Sequence, residues 1–245
     1  MAIKYINLAL FVGMIVMNYL ANALPLNNMT TGQLADKYPN LFVPAGITFS
    51  IWGVIYLLLA VFCVLQFTWA DKASIEILQV PFALTCILNS LWIVFWHYQK
   101  VSISVFVIIA FLITLIYMNK QISSLPVGIL KSIFGVYLGW LCIATIANIT
   151  ALLVYFNWHG GPLSEETWSI IMILAGAVIA SLAIYSFRNP FIGLSVIWAF
   201  TGIIIKRHSD FRSIVIASVV AIFIVGVIMI IHFFIKGGFT QNQLS

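Results

Sequence analysis

Apolar runs close to twenty residues long recur along the whole chain, and they constrain its fold more than any other feature. A bilayer hydrocarbon core is about 30 Å thick and takes roughly 20 helical residues to cross. Barrel strands would instead alternate apolar and polar residues over about 10 positions, and these runs are too long and too uniformly apolar for that. A composition of 63% hydrophobic and 7% charged residues agrees. The chain therefore reads as an all-α polytopic protein embedded in the lipid bilayer. Spans are predicted at Tyr5–Leu24, Pro44–Trp69, Ile77–Trp96, Val101–Met118, Ser132–Phe156, Thr167–Ser186, Pro190–Ile205 and Ser213–Ile235, eight helices with both termini on one side.

The sixth and seventh spans meet at Phe187-Arg188-Asn189-Pro190, a tight reversal in which Pro190 suits a first helical turn and Arg188 the headgroup region. One bent re-entrant pair is the alternative. The first span ends at Ala21-Asn22-Ala23, which resembles a signal-peptide cleavage site. An uncleaved helix is the preferred reading, because Asn7, Asn18 and Asn22 fall nearly on one face where amides bond to neighbouring helices. Orientation is close to a tie: Lys4, Lys72, Lys120, Lys131, Arg188 and Lys236 lie on the side of the termini, and Lys37, Lys100, Lys206, Arg207 and Arg212 on the other. The net charge of +5 suits anchoring beside anionic headgroups, and nothing suggests nucleic acid. Cys63, Cys86 and Cys142 sit within spans, where they act as small apolar residues.

Absences narrow the function. Every Asp and Glu (Asp36, Asp71, Glu76, Glu165, Glu166, Asp210) falls in a predicted loop, whereas ion-coupled transporters usually hold carboxylates at membrane depth. No Lys is predicted mid-helix, so a retinal Schiff base has no attachment point. His97, His159, His208 and His232 are scattered singly, without metal-ligand spacing. No phosphate-binding glycine loop or nucleophile–base arrangement is visible, so no catalytic or metal residue is assigned.

What remains at membrane depth is aromatic and amide. In Tyr137-Leu-Gly-Trp140-Leu-Cys-Ile-Ala144-Thr-Ile-Ala-Asn148 the named residues follow at intervals of three, four and four, which places them on one helical stripe. Trp52 and Tyr56 share a face of the second span; Asn89 and Trp92 share one of the third, extended by Phe95 and Trp96. Two readings stand side by side for these stripes: the wall of a ligand pocket, or helix packing with amides as interhelical glue.

Together these runs resemble the translocator protein family, also called tryptophan-rich sensory proteins or peripheral-type benzodiazepine receptors. Its pattern is a Pro-rich loop leading into Phe and Trp-x-x-x-Tyr, then Leu-Asn-x-x-Trp with aromatics, then Tyr-x-x-Trp-x-x-x-Ala-x-x-x-Asn. The chain carries each in order: Pro44, Phe49, Trp52 and Tyr56; Asn89, Trp92, Phe95 and Trp96; Tyr137, Trp140, Ala144 and Asn148. The resemblance covers roughly Tyr5 to Tyr155. It departs in the first loop, where Pro39 and Pro44 are separated rather than doubled, and in three additional helices after Asn157-Trp-His-Gly160-Gly161-Pro162.

The resemblance implies a five-helix domain over residues 1–156, with residues 157–245 as a C-terminal membrane extension of three helices. It implies a receptor or sensor for a planar hydrophobic ligand, a porphyrin (haem included) or a sterol-like molecule. The ligand would lie against Trp52, Tyr56, Asn89, Trp92, Phe95, Trp96, Tyr137, Trp140, Ala144 and Asn148. Indole and phenol faces suit a macrocycle, and amides can meet its polar groups without a buried charge. No cofactor is required, and a bound porphyrin or haem would be the ligand. The alternatives are a transporter of such a molecule without ion coupling and a porphyrin-modifying enzyme. A bacterial-type plasma membrane is the expected location. The first loop is a lid or a plain connector, with Thr30 or Thr31 capping a short helix through Asp36. In the tail, Gly176, Ala180 and Ala183, with Gly193 and Gly202, offer small-residue faces for packing or for a homodimer. Trp168 and Trp198 are interface anchors, lipid-facing indoles or ligand contacts.

Overall fold

A computed structural model of the chain describes residues 2–23, 28–158 and 160–236; His159 and the predicted end of the first span at Leu24 lie outside them. The described residues are helical throughout, without strands: α1 (Ala2–Ala23), α2 (Thr31–Asp36), α3 (Ile51–Thr68), α4 (Lys72–His97), α5 (Val101–Gln121), α6 (Ile129–Tyr155), α7 (Glu165–Phe187), α8 (Ile192–Arg207) and α9 (Arg212–Ile231). A 3-10 turn, Gly46–Ser50, leads directly into α3.

Seven of these segments are long and apolar enough to cross a membrane. The eighth expected span, α8, has 16 residues. At about 1.5 Å per residue that is roughly 24 Å, short of a full hydrocarbon core. Even so, α8 runs from one face of the bundle to the other. Its start adjoins Asn189, which donates to the Lys131 carbonyl at 2.9 Å, and its end places Arg207 on the Leu41 carbonyl at 3.1 Å. The start of α1 and the end of α9 therefore lie on one face of the bundle, with α8 counted as a crossing.

Local chemistry sets the helix ends. Thr30 and Gln33 form a reciprocal capping box on α2. Asp71 caps α4 through the Ser74 amide at 3.3 Å, which starts that helix before Ile77 and puts Glu76 inside it, exposed, rather than in a loop. Glu165 and Glu166 likewise belong to the first turn of α7 behind the Ser164 cap, where negative charge suits the helix dipole. At the other end of α7, Arg188 adopts a left-handed conformation (φ 49°) and closes the reversal, with Pro190 just before α8 rather than in its first turn.

Helix α6 is the hub, packed against α3, α5, α7 and α8. Its Gly139 lets the α8 backbone come close: a Cβ there would overlap the Ile192 carbonyl. Gly176 and Ala180 of α7 are buried within the chain, so this small-residue face serves internal packing. Near the side of the termini a polar cluster ties α5, α6 and the α7–α8 reversal together. Asn189 donates to Asn119 Oδ1 at 2.8 Å; Lys131, almost fully buried, donates to the carbonyls of Ser123 (3.0 Å) and Arg188 (2.8 Å). The sequence places Lys131 in a headgroup loop. The fold instead draws it into the third position of α6 and gives its ammonium two carbonyls, one from each of two turns.

Candidate functional site

The first loop returns over the opposite end of the bundle, and beneath it lies a cavity walled by α2, α3, α4 and α6. Of the ten expected residues, Trp52, Trp92, Trp96, Trp140, Ala144 and Asn148 line it. Tyr56, Asn89, Phe95 and Tyr137 do not. Tyr56 and Tyr137 stand behind the wall, stacked on Trp52 (centroids 5.6 Å, interplanar 22°) and edge-on to it (6.2 Å) respectively. The aromatic spacing is that of a connected set: Trp52 lies 6.0 Å from Trp92 and 6.1 Å from Trp140, and Trp92 is 6.1 Å from Trp96 at 12° between planes. Such contacts each add about 0.5–1.5 kcal/mol beyond burial and hold the indole faces fixed.

The amides are already engaged. Trp92 Nε1 donates to Asn148 Oδ1 at 3.0 Å, and Asn148 Nδ2 donates to Ser104 Oγ at 3.0 Å, so Asn148 joins α4, α5 and α6. Asn89 accepts from Asn18 at 2.6 Å and donates to the Tyr137 hydroxyl at 3.3 Å, joining α1, α4 and α6. Asn7 bonds Gln66 (2.6 Å) and the Gln79 carbonyl (3.0 Å). Asn7 and Asn18 of α1 thus bond to neighbouring helices, and Asn89 and Asn148 form interhelical bonds.

Two polar atoms of the wall are not engaged. The indole N–H groups of Trp96 and Trp140, on residues 5% and 3% exposed, have no hydrogen-bond partner among the described residues. A buried donor left unpaired costs about 1–3 kcal/mol. Among the described residues the lining holds no Asp, Glu, Lys, Arg or His. This surface therefore suits an uncharged apolar body.

Sequence reasoning missed the contribution of the loop and of α2. Thr31, Ala35, Val43, Pro44 and Phe49 complete the lining, and Phe49 meets Trp140 edge-on at 6.1 Å. Pro44 and Phe49 are in the family pattern, but only the folded loop brings them over Trp140. The cavity is small, about 50 Å³, room for a few waters at roughly 10–15 Å³ each. A macrocycle does not fit in it as it stands. A larger void of about 420 Å³ lies on the other face of α6, against α7 and beside Trp158 and Trp168, and none of the ten expected residues lines it. Trp168 there is a clasp, its Nε1 donating to the Gly160 carbonyl at 2.7 Å. No group of three or more His, Cys, Asp or Glu residues is placed to hold a metal ion among the described residues.

Comparison with known proteins found no match among curated proteins and none among solved structures. A family model described as TSPO-like protein matches residues 4–231. The match extends beyond Tyr155, through the three C-terminal helices that the motif resemblance leaves out. It takes in the aromatic cavity and the helices that buttress it alike, and on that evidence the chain belongs to the TSPO-like protein family.

Proposed function

We propose that the chain is a membrane receptor or sensor that binds a planar hydrophobic molecule, a porphyrin or a sterol-like compound, in the cavity under the first loop. One observation carries the reading. Three helices converge four indoles on one cavity lined by uncharged residues, and two of those indoles, Trp96 and Trp140, carry N–H groups with no partner among the described residues. Stacking on those faces supplies affinity, and the free N–H groups supply orientation toward acceptors on the ligand. Residues 1–156 form the ligand-binding unit in this reading, and residues 157–245 its extension. Because the empty cavity is too small for a macrocycle, binding requires the loop to open and to close again on the ligand.

The test is equilibrium titration of protein in lipid nanodiscs with protoporphyrin, followed by tryptophan fluorescence. Saturable quenching that weakens when Trp140 is replaced by Phe supports the reading. Quenching that never saturates, or that is indifferent to Trp140→Phe, removes it. Uptake of the same molecule into proteoliposomes would point instead to transport without ion coupling.

A further inference from the structure

Helix α8 belongs to the C-terminal helices, yet it holds the wall of the cavity. Five tethers run from it to residues 36–48. Lys206 Nζ pairs with Asp36 at 2.6 Å. Arg207 donates from Nε to the Leu41 carbonyl at 3.1 Å and from Nη2 to the Asn40 carbonyl at 2.8 Å. The Ala45 amide donates to the Gly202 carbonyl at 3.0 Å, and Trp198 Nε1 to the Thr48 carbonyl at 2.8 Å. The contact at Gly202 is close enough that a Cβ there would overlap the Thr48 side chain.

The tethers bracket Val43 and Pro44, which line the cavity. Nearer α1 and α2 the loop is held differently, by Thr31 on His97 and by Lys37 on Gln99. From Asn40 to Thr48, among the described residues, the hydrogen bonds that leave the loop all run to α8. A loop that must lift to admit a macrocycle must therefore break with α8 first.

We propose that α8 is a latch: its grip on residues 40–48 keeps the loop shut over the cavity and sets the rate at which a ligand enters and leaves. Arg207 is the principal positioning residue. It is half-buried and fixes two successive carbonyls with a charged donor, whereas Lys206 makes a single pair with the exposed carboxylate of Asp36, which contributes little. The latch rests on the reading of this cavity as the ligand site.

Loop opening can be read without any ligand. Cysteine placed at Val43, a buried position, should react slowly with a water-soluble maleimide; Cys63, Cys86 and Cys142 are buried and supply the background, measured in the parent protein. In Val43→Cys protein carrying Arg207→Met, the labelling rate should rise about ten-fold or more, and Lys206→Met should change it less than about three-fold. Where Arg207→Met does not fold, Trp198→Phe keeps an aromatic ring, removes one tether and should accelerate labelling in the same direction. Protoporphyrin should then associate and dissociate faster from the Arg207→Met protein, with a smaller change in Kd than in either rate. Unchanged labelling in folded Arg207→Met or, failing that, Trp198→Phe protein overturns the latch, whether or not porphyrin binds. Faster labelling in a protein that binds no porphyrin in any variant leaves the latch standing and removes the ligand reading.

Discussion

Asn148→Ala separates the two roles an intramembrane amide can have. Its side chain accepts from the Trp92 indole at 3.0 Å and donates to Ser104 at 3.0 Å, with the residue 3% exposed. Truncation leaves the Trp92 N–H without its acceptor, while Ser104 keeps its bond to the Val101 carbonyl at 2.8 Å. Each of the two interhelical bonds lost contributes about 0.6 kcal/mol on average and roughly 1.7 at most; a buried donor left unpaired costs about 1–3. A loss of about 1–2 kcal/mol follows, which for a chain of this size lowers Tm by about 2–8 °C. The assay is thermal unfolding in mild detergent, without and with porphyrin, for Asn148→Ala, Trp92→Phe and the double variant. Because the two residues share one bond, the double variant should cost less than the sum of the singles by about 0.5 kcal/mol or more. The ligand-induced rise in Tm should survive in Asn148→Ala. A ligand-free Tm equal to wild type, with that rise abolished, would show that the amide serves the ligand and not the helices.

Other perturbations follow from single contacts. Trp140→Phe removes an N–H that has no partner among the described residues, so the ligand-free Tm should move by less than about 2 °C, while porphyrin affinity falls about 2- to 13-fold, the equivalent of about 0.5–1.5 kcal/mol. Gly139→Val drives a side chain into the α8 backbone and should cost about 3 kcal/mol or more, read as lost monodisperse protein in detergent. The Ser74 hydroxyl and amide hold the exposed Asp71 carboxylate below its ordinary pKa. Its cap on α4 is therefore complete above the unfolded-state value near about 4 and is lost as pH falls through the lower folded value. Asp71→Asn should flatten that part of an acid melting series, and an unchanged profile would refute the assignment. Reporters fused before α1 and after α9 should label from one side of the membrane, opposite to a reporter in the first loop; opposite labelling of the two ends would break the topology.

What was legible in the sequence was whatever depends on period and length. Apolar runs locate the helices, since a bilayer demands about 20 such residues, and the three- and four-residue spacing of Trp52, Trp92, Trp96, Trp140, Ala144 and Asn148 puts them on faces that do converge. Period alone cannot tell which polar atoms remain free once helices pair. For Asn89 and Asn148 the sequence leaves ligand group and interhelical bond side by side, and the fold adds the bonds, because Asn18, Trp92 and Ser104 arrive from other helices. The burial of Lys131 was hidden for the same reason, its carbonyl partners being supplied by Ser123 and by Arg188, 57 residues away. Nor does any sequence spacing announce that Arg207 closes on Asn40 and Leu41, because the tether joins a helix end to backbone carbonyls, which every residue carries.

The central claim is that the ligand lies in the small cavity under the first loop and not in the larger void beside α7. Filling each in turn decides it most directly. Ala147→Leu enlarges a side chain that lines the first, and Thr150→Leu one that lines the second. With both proteins folded in nanodiscs and titrated with protoporphyrin, Ala147→Leu should weaken saturable binding at least about ten-fold, a loss of about 1.4 kcal/mol, and Thr150→Leu should leave it within about two-fold. Binding that is indifferent to Ala147→Leu and lost with Thr150→Leu would contradict the account.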